Sequence, residues 1–245
     1  MAHVPRIYWP QAPAAGATLS LDAERAHHLL RVLKRRIGDP VCLFNPPDCE
    51  CDAEIIATGR DRVELRVTGE RRVQRESPLA LRLVQAIARG DKMELVIQKS
   101  VELGVTAILP VMSARGGVQL DARRQEKKQA HWQAVALSAA EQSGRTRVPN
   151  VAAPQTLTAY FAAGPHHGWV LDPAGESRLP SRAPEAAAPF DLLVGPEAGL
   201  DPAEIGAAVT AGLIPLRLGP RILRTETAGI TALAALQARW GDLLG

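Results

Sequence analysis

The sequence predicts an α/β protein in two parts, a small β-rich part over residues 1–75 and a larger part over residues 76–245. From residue 79 onward, short apolar runs alternate with helical patterns, which is typical of a mostly parallel sheet with helices on both faces. Before that point, short runs with strand alternation dominate. Near the C-terminus, two apolar runs each break into a Gly-Pro turn, in DLLVGPEAGL (191–200) and in LRLGPRILRTETA (216–228).

The first part contains one predicted helix and three predicted strands. The segment HHLLRVLKRR (27–36) is amphipathic, Asp22 can cap it, and Gly38 ends it. A compact β-barrel is the economical architecture, because closing a sheet leaves few free edges. The predicted strands are 41–44, 51–58 and 62–68.

The second part is predicted to alternate strands and helices. Asp91 and Glu94 stand at capping-box spacing in the first predicted helix, and Thr225 is a candidate N-cap for the last one. The Ala/Pro-rich stretch 172–190 is typical of a loop. The predicted strands are 79–87, 105–112, 168–172, 191–195 and 213–219, and the predicted helices are 90–104, 121–144, 201–211 and 225–244.

The two Gly-Pro turns predict a ligand site. Each follows a strand and leads into a helix, so both belong to the edge where open α/β sheets bind ligands. Glycines let the backbone approach a flat ligand closely, and Leu193, Leu218 and Leu223 can sandwich a ring. The phosphate-binding signatures of nucleotide triphosphatases and dinucleotide enzymes are absent from the sequence. A nucleotide-like cofactor that needs little phosphate contact is therefore expected.

Composition narrows the class of protein further. Apolar residues make up 46% and charged residues 22%, as in an ordinary globular chain, and no run is apolar enough to predict a membrane span. The three cysteines favour a reducing, cytoplasmic compartment, and their spacing does not predict a metal site. The net charge is +3 with clustered arginines, which makes an anionic partner plausible.

Four motifs together resemble one family. They are QAIARGDKMELVIQKSVELGV (85–105), EQSGRTRVP (141–149), LVGPEAGL (193–200) and LGPRILRTETA (218–228), and HHLLRVLKRRIGDPV (27–41) is similar to the same family's RNA-binding barrel. The family is RsmE, the SPOUT-class methyltransferases that modify N3 of a uridine in 16S ribosomal RNA of the small subunit. The resemblance spans nearly the whole chain.

The resemblance implies a PUA-like barrel, a SPOUT domain with a C-terminal trefoil knot, and a homodimer. It implies S-adenosyl-L-methionine held in the knot, which agrees with the missing phosphate signatures. The implied cofactor-binding residues are Leu171, Leu193, Val194, Gly195, Pro196, Gly199, Leu216, Leu218, Gly219, Ile222, Leu223 and Thr227.

The chain departs from the family pattern at two positions. Ala198 replaces the middle glycine of the usual GPEGG, which would cost about 1 kcal/mol if the position requires a positive φ. Asp172 stands where a histidine is common, so a role carried by that histidine does not transfer.

Methylation of uracil N3 requires removal of the imide proton, so a base or a cation near the acceptor is expected. Arg224 is the candidate for stabilising the uracil anion or its phosphate, and Glu197 and Glu226 are candidate bases. Glu197 has a second interpretation, in which it only holds its loop through backbone N–H groups. The candidate RNA-binding residues are Arg6, Arg31, Lys34, Arg35, Arg89, Arg115 and Arg145.

Two other functions remain open from the sequence. One is a non-catalytic RNA-binding ribosome-assembly factor, which Ala198 alone favours. The other is a SPOUT methyltransferase that acts on ribose 2′-hydroxyls.

Overall fold

The computed structural model describes residues 4–11, 13–45, 48–117, 120–175 and 188–244. The chain divides into two units, Met1–Glu76 with Ala140–Arg147, and Ser77–Ala139 with Val148–Gly245. The sequence predicted one boundary after residue 75, whereas the structure groups the later segment 140–147 with the first unit. Most of the predicted loop 172–190 lies outside the described residues.

The first unit is built on a five-stranded sheet in the order β1-β3-β4-β5-β2. β1 pairs with β3 in parallel, and the other pairs are antiparallel. Leu43, Ile55 and Leu65 alternate inward and are at most 1% exposed, so one face of the sheet forms the core. The strands are β1 (Arg6–Tyr8), β2 (Thr18–Leu21), β3 (Pro40–Asn45), β4 (Cys49–Thr58) and β5 (Val63–Arg72).

The helical segment of the first unit begins and ends earlier than predicted. Asp22 caps α1 (Ala23–His27), as predicted, by accepting a hydrogen bond from the Arg25 N–H at 2.9 Å. A π-helical turn, His28–Val32, follows and ends the helix before residue 36. Lys34 then takes a left-handed conformation with φ 54°, which a continuing helix excludes.

The second unit contains a parallel sheet in the order β12-β10-β11-β6-β7-β8, with β9 also paired to β7. This confirms the predicted parallel sheet. The sequence missed β8 and β9, which have two residues each and carry too little pattern. The strands are β6 (Leu81–Ala86), β7 (Ala107–Met112), β8 (Asn150–Val151), β9 (Gln155–Thr156), β10 (Gly168–Leu171), β11 (Phe190–Val194) and β12 (Leu213–Leu216).

Four of the five helices of this unit were predicted, and the short α4 was missed. The predicted capping box at Asp91 is wrong: Asp91 makes no side-chain cap bond, and the Glu94 carboxylate contacts His131 Nε2 at 2.8 Å instead. A capping box does form on α5, between Asp201 and Glu204. The helices are α2 (Lys92–Glu102), α3 (Ala122–Ser143), α4 (Leu157–Ala162), α5 (Pro202–Thr210) and α6 (Thr225–Trp240).

The sheet register brings the two Gly-Pro loops together. Leu171, the last residue of β10, pairs with Val194 on one side and with Leu216 on the other. All three strands run parallel and end at the same level, so the loops that follow β11 and β12 leave the sheet side by side. The trefoil knot stays a prediction.

Candidate cofactor site and RNA-binding surface

A cavity of about 580 Å³ lies at the carboxyl ends of β10, β11 and β12. Its volume is in the range of small-molecule and cofactor sites. Its walls come mainly from the loop after β11 (residues 195–201, the first glycine loop) and from the loop after β12 (residues 217–224, the second glycine loop). The start of α6 and Lys92 on α2 complete the lining.

The two glycine loops are tied together under the cavity by Thr225. Its Oγ1 donates a hydrogen bond of 2.6 Å to the carbonyl oxygen of Gly195, and it accepts one of 3.0 Å from Gln85 Nε2. Thr225 is 5% exposed and Gln85 is 0% exposed. The predicted N-cap role of Thr225 is wrong, because Arg224 occupies the N-cap position of α6 and Thr225 is its first helical residue.

Glycine is required at defined points of these loops. A Cβ at Gly195 would lie 3.0 Å from Leu200 Cγ and 3.1 Å from the Leu200 nitrogen, so a side chain there would push the loop open. Gly199 has φ 73° and Gly219 has φ 70°, the left-handed region that favours glycine. The chain can therefore fold back closely over the cavity at both loops.

Most of the predicted cofactor-binding residues line the cavity, and two do not. Leu193 is 0% exposed and packs in the core below the sheet, because neighbouring residues of a strand face opposite sides and Val194 takes the cavity side. Thr227 is exposed and lies off the lining, since the face of α6 that reaches the cavity carries Thr225 and Ala228. The predicted residues in the lining are Leu171, Val194, Gly195, Pro196, Gly199, Leu216, Leu218, Gly219, Ile222 and Leu223.

Two of the three candidate catalytic residues line the cavity, and the third lies outside the lining. Arg224 and Glu197 line it, and Arg224 is exposed. Glu226 is outside the lining, and its carboxylate is 15% exposed. Among the described residues nothing bonds the Arg224 guanidinium, which leaves its N–H groups available to a ligand.

Glu197 is held by its surroundings. Its Oε1 accepts hydrogen bonds from the Arg89 N–H at 3.1 Å and from Lys92 Nζ at 3.3 Å. Burial acts to raise the pKa of this carboxyl, but its own backbone N–H, the Arg89 N–H and Lys92 outweigh burial, and the pKa is lowered. A carboxylate stabilised in this way is a weak proton acceptor at neutral pH. The contacts favour the interpretation in which Glu197 holds its loop.

The two departures from the family pattern cause no strain. Ala198 is exposed and outside the cavity lining, and it is not among the described residues with positive φ; that conformation falls on Gly199. Asp172 lines the cavity and closes a turn, with Oδ1 accepting the Ala174 N–H at 2.9 Å. The expected cost of Ala198 therefore does not arise, and the non-catalytic function loses the feature that favoured it.

Two predicted RNA-binding arginines lie inside the first unit. The Arg6 side chain is 9% exposed and pairs with the fully buried Glu50, and its Nη2 donates to the Arg145 carbonyl oxygen at 2.7 Å. The Arg145 side chain is 6% exposed and pairs with Glu76 at 2.5 Å. Each guanidinium group pairs with a carboxylate of the same unit, fully buried Glu50 for Arg6 and mostly buried Glu76 for Arg145, which leaves little of either group exposed to bind RNA.

The other candidates in the first unit are more accessible. Arg31 and Lys34 are exposed and lie at and just beyond the end of the helical segment, and Arg35 is half-buried. Lys34 and Arg35 lie beyond the last helical residue, Val32, so they are not on the helix face that the sequence predicted for them.

In the second unit, Arg89 and Arg115 are exposed and lie near the first glycine loop. The Arg89 N–H contacts Glu197 at 3.1 Å, and Arg115 Nη2 pairs with Asp201 at 2.9 Å. The Arg115 guanidinium is therefore paired with a carboxylate. Arg89 contacts the first glycine loop through its backbone N–H rather than through its side chain.

Sequence reasoning missed Lys92, which lines the cavity and contacts both Glu197 and Glu226. A lysine in the first turn of an amphipathic helix is ordinarily a solvated surface residue, so its position in the sequence does not indicate a binding role. The described residues contain no group of three or more metal-ligating side chains, and none of their helices is long and apolar enough to cross a membrane.

The parallel sheet ends in two hydrogen-bonded glycine loops around a cavity of cofactor size. This arrangement is typical of α/β proteins that bind a nucleotide-like cofactor. Comparison with protein-family models shows which family of α/β proteins the chain belongs to. The model of the RNA methyltransferase domain matches residues 75–237, and the model of the RNA methyltransferase PUA domain matches residues 21–68. The chain belongs to this RNA methyltransferase family.

Individual methyltransferases are similar to the chain over nearly its whole length. The chain is 33% identical to the ribosomal RNA small subunit methyltransferase E of Buchnera aphidicola, over 98% of each chain. A solved structure of ribosomal RNA small subunit methyltransferase E from Neisseria gonorrhoeae, bound to S-adenosyl methionine, is 37% identical, covers 98% of this chain and 100% of that one, and has a TM-score of 0.90. A methyltransferase of Legionella pneumophila in complex with the same cofactor is 38% identical over 99% and 100%, with a TM-score of 0.91.

Proposed function

We propose that the protein transfers a methyl group from S-adenosyl-L-methionine to N3 of a uracil in the 16S RNA of the small ribosomal subunit. The observation that carries the proposal is the cavity between the glycine loops that Thr225 ties together. Two solved relatives with nearly full coverage hold S-adenosylmethionine, and their likeness supports the same cofactor here.

The cavity residues fit this cofactor. Leu171, Leu216 and Leu218 offer apolar surface for a purine ring, and the backbone around Gly195 and Gly219 is open to its edge. When bound, the cofactor supplies an electrophilic methyl carbon on a sulfonium.

The protein's own residues must align the uracil with the methyl carbon, stabilise the developing anion and accept the N3 proton. In-line displacement requires alignment of uracil N3 with the methyl carbon, and a uridine must be unpaired or flipped out before it can enter the cavity. Arg224 is free to bind a uracil oxygen or the adjacent phosphate, and an anion that develops on the ring would be stabilised there. Glu226 is the remaining candidate for accepting the N3 proton, since the contacts of Glu197 hold its loop.

The variant Arg224→Ala tests this assignment in single turnover. We expect a methylation rate about 100-fold lower at saturating RNA, with unchanged cofactor affinity. A wild-type rate in this variant would remove Arg224 from the mechanism without affecting the proposed activity.

We further propose that the active form is a homodimer. The proposal follows the resemblance to the family, and Ile222, which is 83% exposed beside the cavity, is the apolar side chain that we expect the second subunit to cover. A ribosomal RNA substrate would place the protein in the cytoplasm. Sedimentation equilibrium of wild type and of Ile222→Asp checks the oligomeric state.

The decisive experiment uses labelled S-adenosylmethionine, the pure protein and small ribosomal subunits from cells that lack it. Label recovered as 3-methyluridine supports the proposal. Label on a ribose would instead support the 2′-hydroxyl methyltransferase, and saturable binding without incorporation would support the assembly factor.

A further inference from the structure

Four cations share the exposed face of the first half of α3. With about 3.6 residues per turn they fall within about 140° of the helix circumference, and Glu126, the acidic residue of the same stretch, lies outside this arc. The opposite face of the helix contacts the sheet, because the side chains of Gln129 and Gln133 form hydrogen bonds with the segment 149–151. We name the four exposed residues the basic face: Arg123, Arg124, Lys127 and Lys128.

Most of the positive charge of the basic face is not neutralised within the protein. Among the residues that the structure describes, Arg124 is the one member with an ion pair, to Asp121 at 3.4 Å, and both of these side chains are mostly exposed. Lys128 Nζ lies 5.3 Å from the ring centroid of the buried Trp132, a contact that holds the ammonium without cancelling its charge. The basic face is therefore available to an external anion.

The stability of α3 does not explain where these cations lie. The N-terminal end of a helix is the positive end of its dipole and favours acidic side chains, whereas basic side chains are favoured at the other end. In α3 the order is reversed, since Arg123 and Arg124 lie in a first turn that has no acidic residue, and the last turn has no basic one. Asp121, which precedes the helix, compensates in part by accepting the Arg124 N–H at 2.9 Å. A binding role explains cations that are placed against the dipole.

The basic face lies toward the edge of the sheet at which the cofactor cavity opens. Gln129 contacts Val151, and Val151 pairs with Ile108 of β7. From Ile108, β7 continues for four residues, about 13 Å, to its carboxyl end at Met112. From Gln129, α3 extends back for seven residues, about 10 Å, to its start at Ala122. Because β7 and β8 are parallel, α3 runs against both strands, and its first turns lie level with the carboxyl end of β7.

We propose that the basic face binds the phosphate backbone of the RNA substrate. The inference rests on the proposed function, which brings a flipped uracil to the same edge of the sheet, so the strand on either side of this nucleotide lies across the neighbouring surface. Exposed lysines and arginines bind phosphates through charge, independently of sequence. The basic face therefore supplies affinity for the strand and orients it, and it does not choose the uridine.

The double variant Arg123→Gln/Lys127→Gln tests the inference. It removes two positive charges and leaves good helix formers at both positions. On a single-stranded RNA oligonucleotide, the slope of log affinity against log salt should fall by about 1.4, which is about 0.7 for each phosphate contact. Binding at about 0.1 M salt should weaken about 25-fold, and the difference from wild type should disappear toward about 1 M salt. Fluorescence anisotropy titrations over this range of salt concentrations measure both quantities.

The double variant Lys99→Gln/Arg239→Gln is the matched control. Lys99 and Arg239 lie in the last turns of α2 and α6, whose first turns contribute to the cavity, so both are at the ends farther from it. The control lowers the net charge by the same amount and should leave the salt slope unchanged. A second measurement separates binding from structure. Because the basic face opposes the helix dipole, Arg123→Gln/Lys127→Gln should keep or raise the urea midpoint of wild type, whereas a structural role would lower it.

An unchanged salt slope in Arg123→Gln/Lys127→Gln, or an equal decrease in the control variant, would overturn the inference, while formation of 3-methyluridine by the wild type would still support the proposed function. A reduced slope in a protein that incorporates no label would support the basic face as an RNA-binding surface and would contradict the proposed function. An unchanged slope on RNA together with lost binding to phosphatidylserine vesicles would overturn the inference in favour of a membrane surface.

Discussion

Thr225 Oγ1 lies 2.6 Å from the carbonyl oxygen of Gly195, and this bond joins residues that are 30 positions apart in the chain. Gln85 Nε2 holds the same hydroxyl at 3.0 Å from below. The first and second glycine loops therefore keep their spacing before any ligand binds. Because the loops are already ordered, ligand binding loses less conformational entropy in them.

The variant Thr225→Val should weaken binding of S-adenosylmethionine about tenfold, a loss of about 1.4 kcal/mol. It removes the donor to the Gly195 carbonyl oxygen and one of the two acceptors of Gln85 Nε2, which keeps its bond to the Ala86 carbonyl oxygen at 3.0 Å. Thr225→Ser keeps the hydroxyl and serves as the control. Calorimetric titration measures both. Equal affinity in the valine variant and wild type would show that the bond does not hold the loops.

Substitution should be tolerated at Ala198 and destabilising at Gly199. Ala198→Gly should leave cofactor affinity within twofold of wild type, since the side chain is exposed and lies off the cavity lining. Gly199→Ala should lower the free energy of unfolding by about 1 kcal/mol, because φ 73° disfavours a Cβ. Urea denaturation and cofactor titration check the pair, and a gain of activity in Ala198→Gly would contradict the assignment.

Arg31 and Lys34 should contribute to RNA affinity through charge. Each is exposed, so Arg31→Gln and Lys34→Asn should each reduce the slope of log affinity against log salt by about 0.7 on single-stranded RNA. Asparagine suits the left-handed backbone at position 34. Filter binding across salt concentrations measures the slope, with the exposed turn residue Arg60→Gln as control. Unchanged slopes in both variants would exclude this surface.

The position of the cofactor cavity could be predicted from the sequence, whereas the ion-pair partners of the charged residues could not. The apolar run 191–195 and its Gly-Pro turn carry a local signal, and β11 with the first glycine loop follows it closely. In the sequence, the neighbours of Arg6 and Arg145 do not distinguish these two residues from surface arginines. Their carboxylate partners, Glu50 and Glu76, lie 44 and 69 positions away and meet them only after folding.

Lys92 and the capping box at Asp91 illustrate the same limit. Glu94 has the spacing for a cap, but in the structure it contacts His131, which is 37 positions away. Lys92 bridges two carboxylates from the C-terminal third of the chain, 105 positions away in the case of Glu197. Such contacts depend on the topology of the sheet, which local periodicity does not encode.

Glu50 should dominate the acid stability of the first unit. It is 0% exposed; burial alone would raise its pKa, but hydrogen bonds and charges from Arg6, Arg71 and Arg75 lower it overall. Since the folded pKa lies below the unfolded value of about 4.3, Glu50 stabilises the fold above that pH and loses this contribution as the pH falls through the folded value.

The variant Glu50→Gln should therefore lower the free energy of unfolding by about 3–5 kcal/mol at pH 7, with a smaller difference from wild type in acid. Urea denaturation at several pH values measures this. Glu54→Gln is the control, because Glu54 forms an exposed ion pair with Arg66 at 3.7 Å, and it should cost less than about 1 kcal/mol. A difference that stays constant with pH would contradict the role of ionised Glu50.

The three cysteines should be unreactive in the folded protein. Burial, reinforced by the charge of Glu50, raises the pKa of Cys42 to about 11, and burial with a hydrogen bond to Glu70 raises that of Cys49 to about 12. Burial also raises the pKa of Cys51. Because the thiolate is the reactive form, an aromatic disulfide reagent at about pH 8 should modify these residues only after unfolding in guanidinium. Arg60→Cys provides an exposed thiol for comparison, and native cysteines that react as fast as this one would show that the core of the first unit opens readily.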